Sequence, residues 1–192
     1  MRLEFWFPTP IWSCNLDYDT NKILDYALNL FSVDDGRDAT NVGGWQSNDL
    51  YYENDSPIKD FLDIINIKLT ECIFEYNYEI SGIELGNFWF NINGHGNYNL
   101  THTHPGSFLS GVYYIKVPED CGVITFDNDS KSNFILQSHR TTGDSVLSHS
   151  QCKYPPHEGM LIIFPSWLPH SVTANNSHES RISFSFNSRI LK

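Results

Sequence analysis

The hydrophobic period of this 192-residue chain switches near Gly86 from a helical to an extended pattern, which leaves few possible architectures. Before the switch, Ile23, Leu24, Ala27, Leu28 and Phe31 recur at helical spacing behind candidate caps at Asp19 or Thr20. A longer stripe runs through Ile58, Phe61, Leu62, Ile65, Leu69, Cys72, Ile73 and Tyr76. Ser56 is placed to cap that helix, with Pro57 at the first helical position. Each helix has one apolar face, so each needs a sheet to cover it.

After the switch, short runs of β-branched and aromatic residues alternate with Gly, Pro, Asn and Asp clusters. The expected strands are 87–93, 107–117, 122–126, 133–137, 145–149, 160–164, 170–174 and 181–188. Residues 31–42 and 153–158 read as loops. Eight short strands behind two helices imply a mainly β protein with supporting helices. The architecture is then a double-stranded β-helix, or jelly roll, with the N-terminal helices packed on a sheet. We expect one domain over 1–192, with a helical buttress at 1–80 and the jelly-roll core at 86–190.

In the last run Ile182, Phe184 and Phe186 share one face, and Arg181, Ser183, Ser185 and Asn187 share the other. The polar face either meets solvent, as in an ordinary sandwich, or lines a cavity inside the roll while the apolar face packs on the helices. The pattern fits both.

Charge narrows the partners. A net charge of −11, with no basic run, disfavours nucleic-acid phosphate, whose binding depends on Lys and Arg. Cys14, Cys72, Cys121 and Cys152 are widely spaced, as reduced thiols of a cytoplasmic protein would be, and have no zinc-site spacing. No apolar run has the length of a signal peptide or membrane span, so no membrane partner is expected.

His102 and His104 open a strand-like run, and residues two apart in an extended chain project to the same side. Both imidazoles can therefore aim at one point, as adjacent metal ligands must. Pro105 and Gly106 then end the extended geometry. His170, after Pro169 in a run fixed by two prolines, is the natural third ligand. His95, His139, His149, His157 and His178 sit among turn residues and read as solvated. A His-x-His pair alone is as often a surface feature. The ordered set of His102, His104, His170 and then Arg181 is what points to a site.

These residues resemble the iron(II)- and 2-oxoglutarate-dependent oxygenases, in particular a small branch frequent in bacteria and their phages. The resemblance rests on residues 44–50, on 102–107 running into 110–114, and on 159–170 leading into 181–187. The early Phe7-Pro8-Thr9-Pro10 also belongs to it. It implies Fe(II) and 2-oxoglutarate as cofactors, O2 as cosubstrate, and oxidation of an organic substrate with decarboxylation of 2-oxoglutarate to succinate. The usual iron motif of the superfamily is His-x-Asp/Glu with a distal His. His102 and His170 match its histidines, and His104 stands where the carboxylate is usual. Three arrangements follow. His104 ligates directly, the one favoured by its spacing; or it sits behind the ligands; or a carboxylate such as Asp127 completes the set. The resemblance further assigns Arg181 and Ser183 to the far carboxylate of 2-oxoglutarate, with Tyr114 and Ser110 on the neighbouring strand face. An arginine fork suits a carboxylate bidentately.

Two other readings keep the fold. One is a cupin-like metal dioxygenase or isomerase that does not use 2-oxoglutarate; the other is a non-enzymatic jelly-roll binding module. The substrate is not legible, although Trp45, Gln46 and Asn48 could stand at a cavity mouth as well as in helix–sheet contacts. A homo-oligomer stays open.

Overall fold

The structure, a computed structural model, describes residues 1–130 and 147–191. In chain order the elements are β1 (Trp12–Asn15), α1 (Thr20–Phe31), β2 (Asn41–Val42), β3 (Trp45–Gln46), β4 (Leu50–Tyr51) and α2 (Lys59–Phe74). They continue with β5 (Gly82–Asn93), β6 (Tyr98–His102), β7 (Leu109–Lys116), β8 (Ile124–Asp127) and β9 (Gln151–Tyr154). The last three are β10 (Met160–Pro165), β11 (His170–Val172) and β12 (Arg181–Leu191).

Two antiparallel sheets face each other. The larger runs β1-β10-β7-β12-β5-β3, with β4 also on β5; the smaller runs β2-β6-β11-β8-β9. Ile23, Ala27, Phe61, Leu62, Ile65 and Leu69 of the helices bury against Phe88, Phe90, Tyr113, Phe184 and Phe186 of the larger sheet. A second apolar cluster lies between the sheets, with Val112, Tyr114, Ile124, Phe126, Ile162 and Phe164 at its centre. Odd and even positions of β7, β10 and β12 therefore serve different neighbours, helices on one side and the interior on the other. That settles the ambiguity of the last strand: its apolar face packs on the helices, and its polar face lines a cavity.

Asp19 caps α1 by accepting from the Asn21 N–H at 3.0 Å. α2 differs from expectation. Ser56 and Pro57 form a turn, closed by the Lys59 N–H donating to Ser56 O, and the helix begins at Lys59 and ends at Phe74. Several strands went unforeseen: β1 to β4 are only two to four residues long, too short for a period to register. β6 was masked by its polar Asn and Thr, and β9 takes up part of the expected 153–158 loop. The expected strand 133–137 lies outside the described residues, as do His139 and the first residues of 145–149.

Candidate metal and cosubstrate site

His102 does not open β7; it ends β6, opposite His170, which begins β11. The chain then turns through Pro105 and Gly106, with Gly106 at φ +88° and the Ser107 N–H donating to His104 O. A Pro-Gly pair suits the two centres of such a turn, and the positive φ is one that glycine adopts without a Cβ clash. The His104 backbone is tied across the site, its N–H donating to Ser166 O at 2.9 Å. Two strand ends and one turn thus bring three imidazoles together. One donor atom from each of His102, His104 and His170 lies within 4.8 Å of the others, a set that could hold a metal ion.

The hydrogen bonds orient these rings. His102 Nδ1 meets Leu100 O at 2.7 Å, and His170 Nδ1 meets Leu168 O at 2.9 Å. A ring that donates Nδ1–H to a carbonyl presents an unprotonated Nε2, the tautomer a metal ligand needs. His170 Nε2 faces His104 Nε2 at 3.2 Å. Burial holds the imidazoles neutral: it lowers the pKa of His102, and with His102 nearby brings His104 to about 4 and His170 to about 3. Phe164 packs edge-on against His170, and Trp89 lies beside His104. Three neutral nitrogen donors at one point, in an apolar surround, fit a first-row divalent ion.

The imidazoles open on a cavity of about 220 Å³ between the sheets. Arg181, Ser183, Ser185 and Asn187 of β12 line it, with Tyr114 of β7. Arg181 is 2% exposed, and its Nη1 donates to Cys121 O. Among the described residues no carboxylate pairs with it, and none lines the cavity. Desolvation lowers its pKa, as it must for a cation without a counterion, and it raises that of the Tyr114 phenol. A buried guanidinium facing a cavity calls for an anionic ligand.

Asp127 lies away from the site, and Ser110 lies behind the cavity wall. On β8 the residue paired with His170 is Phe126, so alternation turns Asp127 away, and its carboxylate accepts from Gln151 Nε2 at 2.8 Å. It is outside the group of candidate ligands. Ser110 is buried but does not line the cavity; its hydroxyl donates to Asn187 Oδ1 at 2.8 Å. Gln46 does reach the cavity. Trp45 instead packs against Phe31 and donates to Asp34 O, and Asn48 bonds Asp34.

Sequence reasoning missed several lining residues. Arg37, in the stretch read as a loop, lines the wall with its guanidinium forked onto Asp49 at 2.6 and 3.0 Å. Asn87, Trp89 and Asn91 alternate along the interior face of β5. Their spacing of two was the available signal, hidden by Phe88 and Phe90 between them.

Comparisons with known proteins agree with this architecture. No curated protein matches the chain. Among solved structures, a Pseudomonas putida prolyl-4-hydroxylase superposes with a TM-score of 0.65 at 13% identity, covering 94% of this chain and 92% of that one. A viral collagen prolyl hydroxylase from Paramecium Bursaria Chlorella virus-1, solved with 2-oxoglutarate, gives 0.60 at 14% identity, covering 93% and 95%. SnoN, an α-ketoglutarate-dependent epimerase of nogalamycin biosynthesis, gives 0.62 at 14%, covering 94% and 78%. At such identities the likeness is one of fold. The family is shown by sequence: the family model described as "Putative 2OG-Fe(II) oxygenase" matches residues 87–187, from the interior face of β5 through all three histidines to Arg181 and Asn187. The chain belongs to the 2OG-Fe(II) oxygenase family.

Proposed function

We propose that this oxygenase is a hydroxylase-type dioxygenase in which His102, His104 and His170 hold Fe(II), and Arg181, Ser183 and Tyr114 hold 2-oxoglutarate. The observation that carries the reading is Arg181, a buried cation with no described carboxylate partner, in the same cavity as three neutral imidazoles. A cupin-like enzyme without 2-oxoglutarate would need an anionic substrate to pair with that charge. A binding module would give no reason for the imidazoles to converge.

When bound, iron and 2-oxoglutarate supply oxidation of an organic substrate by O2, with release of CO2 and succinate. The chain's own part is to bind, orient and exclude water. Leu100 O and Leu168 O fix the ring planes of His102 and His170, so these ligands need little reorganisation to bind the ion. Arg181 offers a fork of N–H donors to the far carboxylate, and its link to Cys121 O limits its rotamers. Ser183, opposite Tyr114 on the neighbouring strand, adds a hydroxyl on the same face. Val112, Ile124 and Phe164 give the cavity an apolar wall that keeps the local dielectric low and strengthens these polar contacts. Four free thiols fit a reducing compartment, and we place the protein in the cytoplasm. No helix among the described residues is long and apolar enough to cross a membrane.

The reading is tested by incubating the protein with Fe(II), 2-oxoglutarate and O2 and measuring succinate. Succinate should form slowly even without a primary substrate and should require both cofactors. Oxygen uptake that is independent of 2-oxoglutarate would favour the cupin-like reading.

A further inference from the structure

The segment before β1 leaves a run of aromatic surface uncovered. Phe5, Trp6 and Phe7 are 62%, 75% and 96% exposed, and Met1 and Leu3 also lie open. Consecutive aromatics in water form one contiguous apolar patch, which marks a contact with another molecule as scattered single hydrophobics do not.

β1 fixes where this arm leaves the body. Trp12 pairs with Ile163 in antiparallel register, so the residues before Trp12 run toward Pro165 and Trp167. Trp12 also packs on Tyr76, with ring centroids 5.8 Å apart. Tyr76, Pro165 and Trp167 line an aromatic groove that borders the turn 103–106 beside the metal-ligand candidates. Within it Tyr76 stacks on Tyr78 and meets Phe108 edge-on. Tyr78 and Trp167 are each 57% exposed. Arm and groove are neighbours, yet neither covers the other.

The link between them is stiff. Pro8 and Pro10 fix two φ angles, and an extended run over residues 8–10 carries the aromatics roughly 9 Å from the exit point. A groove at the exit point is too close for its own arm to fold back into, whereas the groove of a facing copy is within reach. Charge permits that approach. The chain carries a net charge of −11, but none of the described residues lining the groove is charged, and Arg2 and Glu4 of the arm pair at 3.5 Å. The area suffices as well. At roughly 100 Å² for each covered ring, two arms and the groove surface they meet remove on the order of 1,200 Å², the lower bound for a stable interface.

We propose that residues 1–10 of one copy lie in the aromatic groove of a second copy, and reciprocally, giving a two-fold symmetric dimer. Each arm then covers the outer side of the turn that carries His104 in the other copy, so assembly encloses the rim of the site.

Sedimentation velocity of the wild-type protein over a wide concentration range tests this, and twice the mass of one chain is expected. Trp6→Ser in the arm and Trp167→Ser in the groove replace exposed rings, so both variants should keep the near-ultraviolet circular dichroism of the fold. Each should weaken the dimer at least about thirtyfold, as loss of a tryptophan anchor does. An equal mixture of the two variants retains one intact arm–groove contact per pair. It should therefore associate more tightly than either variant alone. A wild-type protein that keeps the mass of one chain at every concentration would overturn the proposal, whether its arm then docks on its own groove or on another protein. So would a dimer that both variants leave unchanged, or a mixture that associates no better than its components.

Discussion

His104 stands where the usual iron motif of the superfamily has a carboxylate, and its surroundings suit the ligand role proposed for it. Its backbone N–H is pinned to Ser166 O, its ring lies beside Trp89, and its Nε2 points at that of His170. If all three histidines ligate, His102→Ala, His104→Ala and His170→Ala should each abolish stoichiometric Fe(II) binding under argon. Asp127→Ala should leave it unchanged, because that carboxylate is engaged with Gln151 away from the site. Iron analysis of the four purified variants decides the matter. Retention of iron by His104→Ala together with its loss in Asp127→Ala would mean that the carboxylate completes the set after all. At this scale the sequence was informative about identity but not about orientation. The spacing of His102 and His104 showed that two rings share a side. It could not show that His102 closes one strand while His104 lies in a turn, because the Asn and Thr of β6 carry no apolar period.

At the scale of elements, the two faces of β7, β10 and β12 divide the labour between support and site. Gly111 on β7 marks where this division leaves least room. A Cβ there would run into the Phe186 ring and stand 2.8 Å from Ile162 O. Gly111→Ala should therefore destabilise the protein by about 1–3 kcal/mol, the usual cost of overpacking a core, as read by urea denaturation. An unchanged midpoint would mean that the β7–β12 packing is looser than described. The major helices and the long strands were legible because each repeats its period over several turns or alternations. α2 was foreseen through Ile58, Phe61, Leu62, Ile65 and Leu69, all of which are buried. Its start was misread because Ser56-Pro57 is a good cap signature that here closes a preceding turn. The two-residue strands β2, β3 and β4 had no period to show, and they are long-range partners of β5 and β6, fixed by tertiary pairing alone.

At the scale of the whole molecule, three neutral imidazoles are kept in a buried cluster, and this ties stability to pH. His104 and His170 have folded-state pKa values of about 4 and about 3, below the ordinary value of 6.5. Between pH 6.5 and those values the unfolded chain binds more protons than the folded one, so acidification favours unfolding. The metal-free protein should have its full stability from these groups above pH 6.5 and lose it progressively as pH falls below. Thermal melts at pH 7.5, 6.5 and 5.5 should show the drop between the last two. The double variant His104→Gln/His170→Gln should flatten it, and an equally steep drop in that variant would place the cause in other groups. Bound Fe(II) should oppose the loss near neutral pH, because it binds only the folded chain.

One cavity is expected to hold metal and 2-oxoglutarate together, with Arg181 as the carboxylate partner. Calorimetric titration of 2-oxoglutarate into Fe(II)-loaded protein under argon tests it most directly. The wild-type protein should show one site per chain. Arg181→Ala should weaken binding by about 2–5 kcal/mol, the range for breaking one half of a buried charge pair. Arg181→Lys should fall between, since it keeps the charge and loses the fork. Equal affinity in the wild-type protein and Arg181→Ala, or no binding to iron-loaded wild-type protein at millimolar 2-oxoglutarate, would mean that Arg181 does not hold the cosubstrate in this cavity.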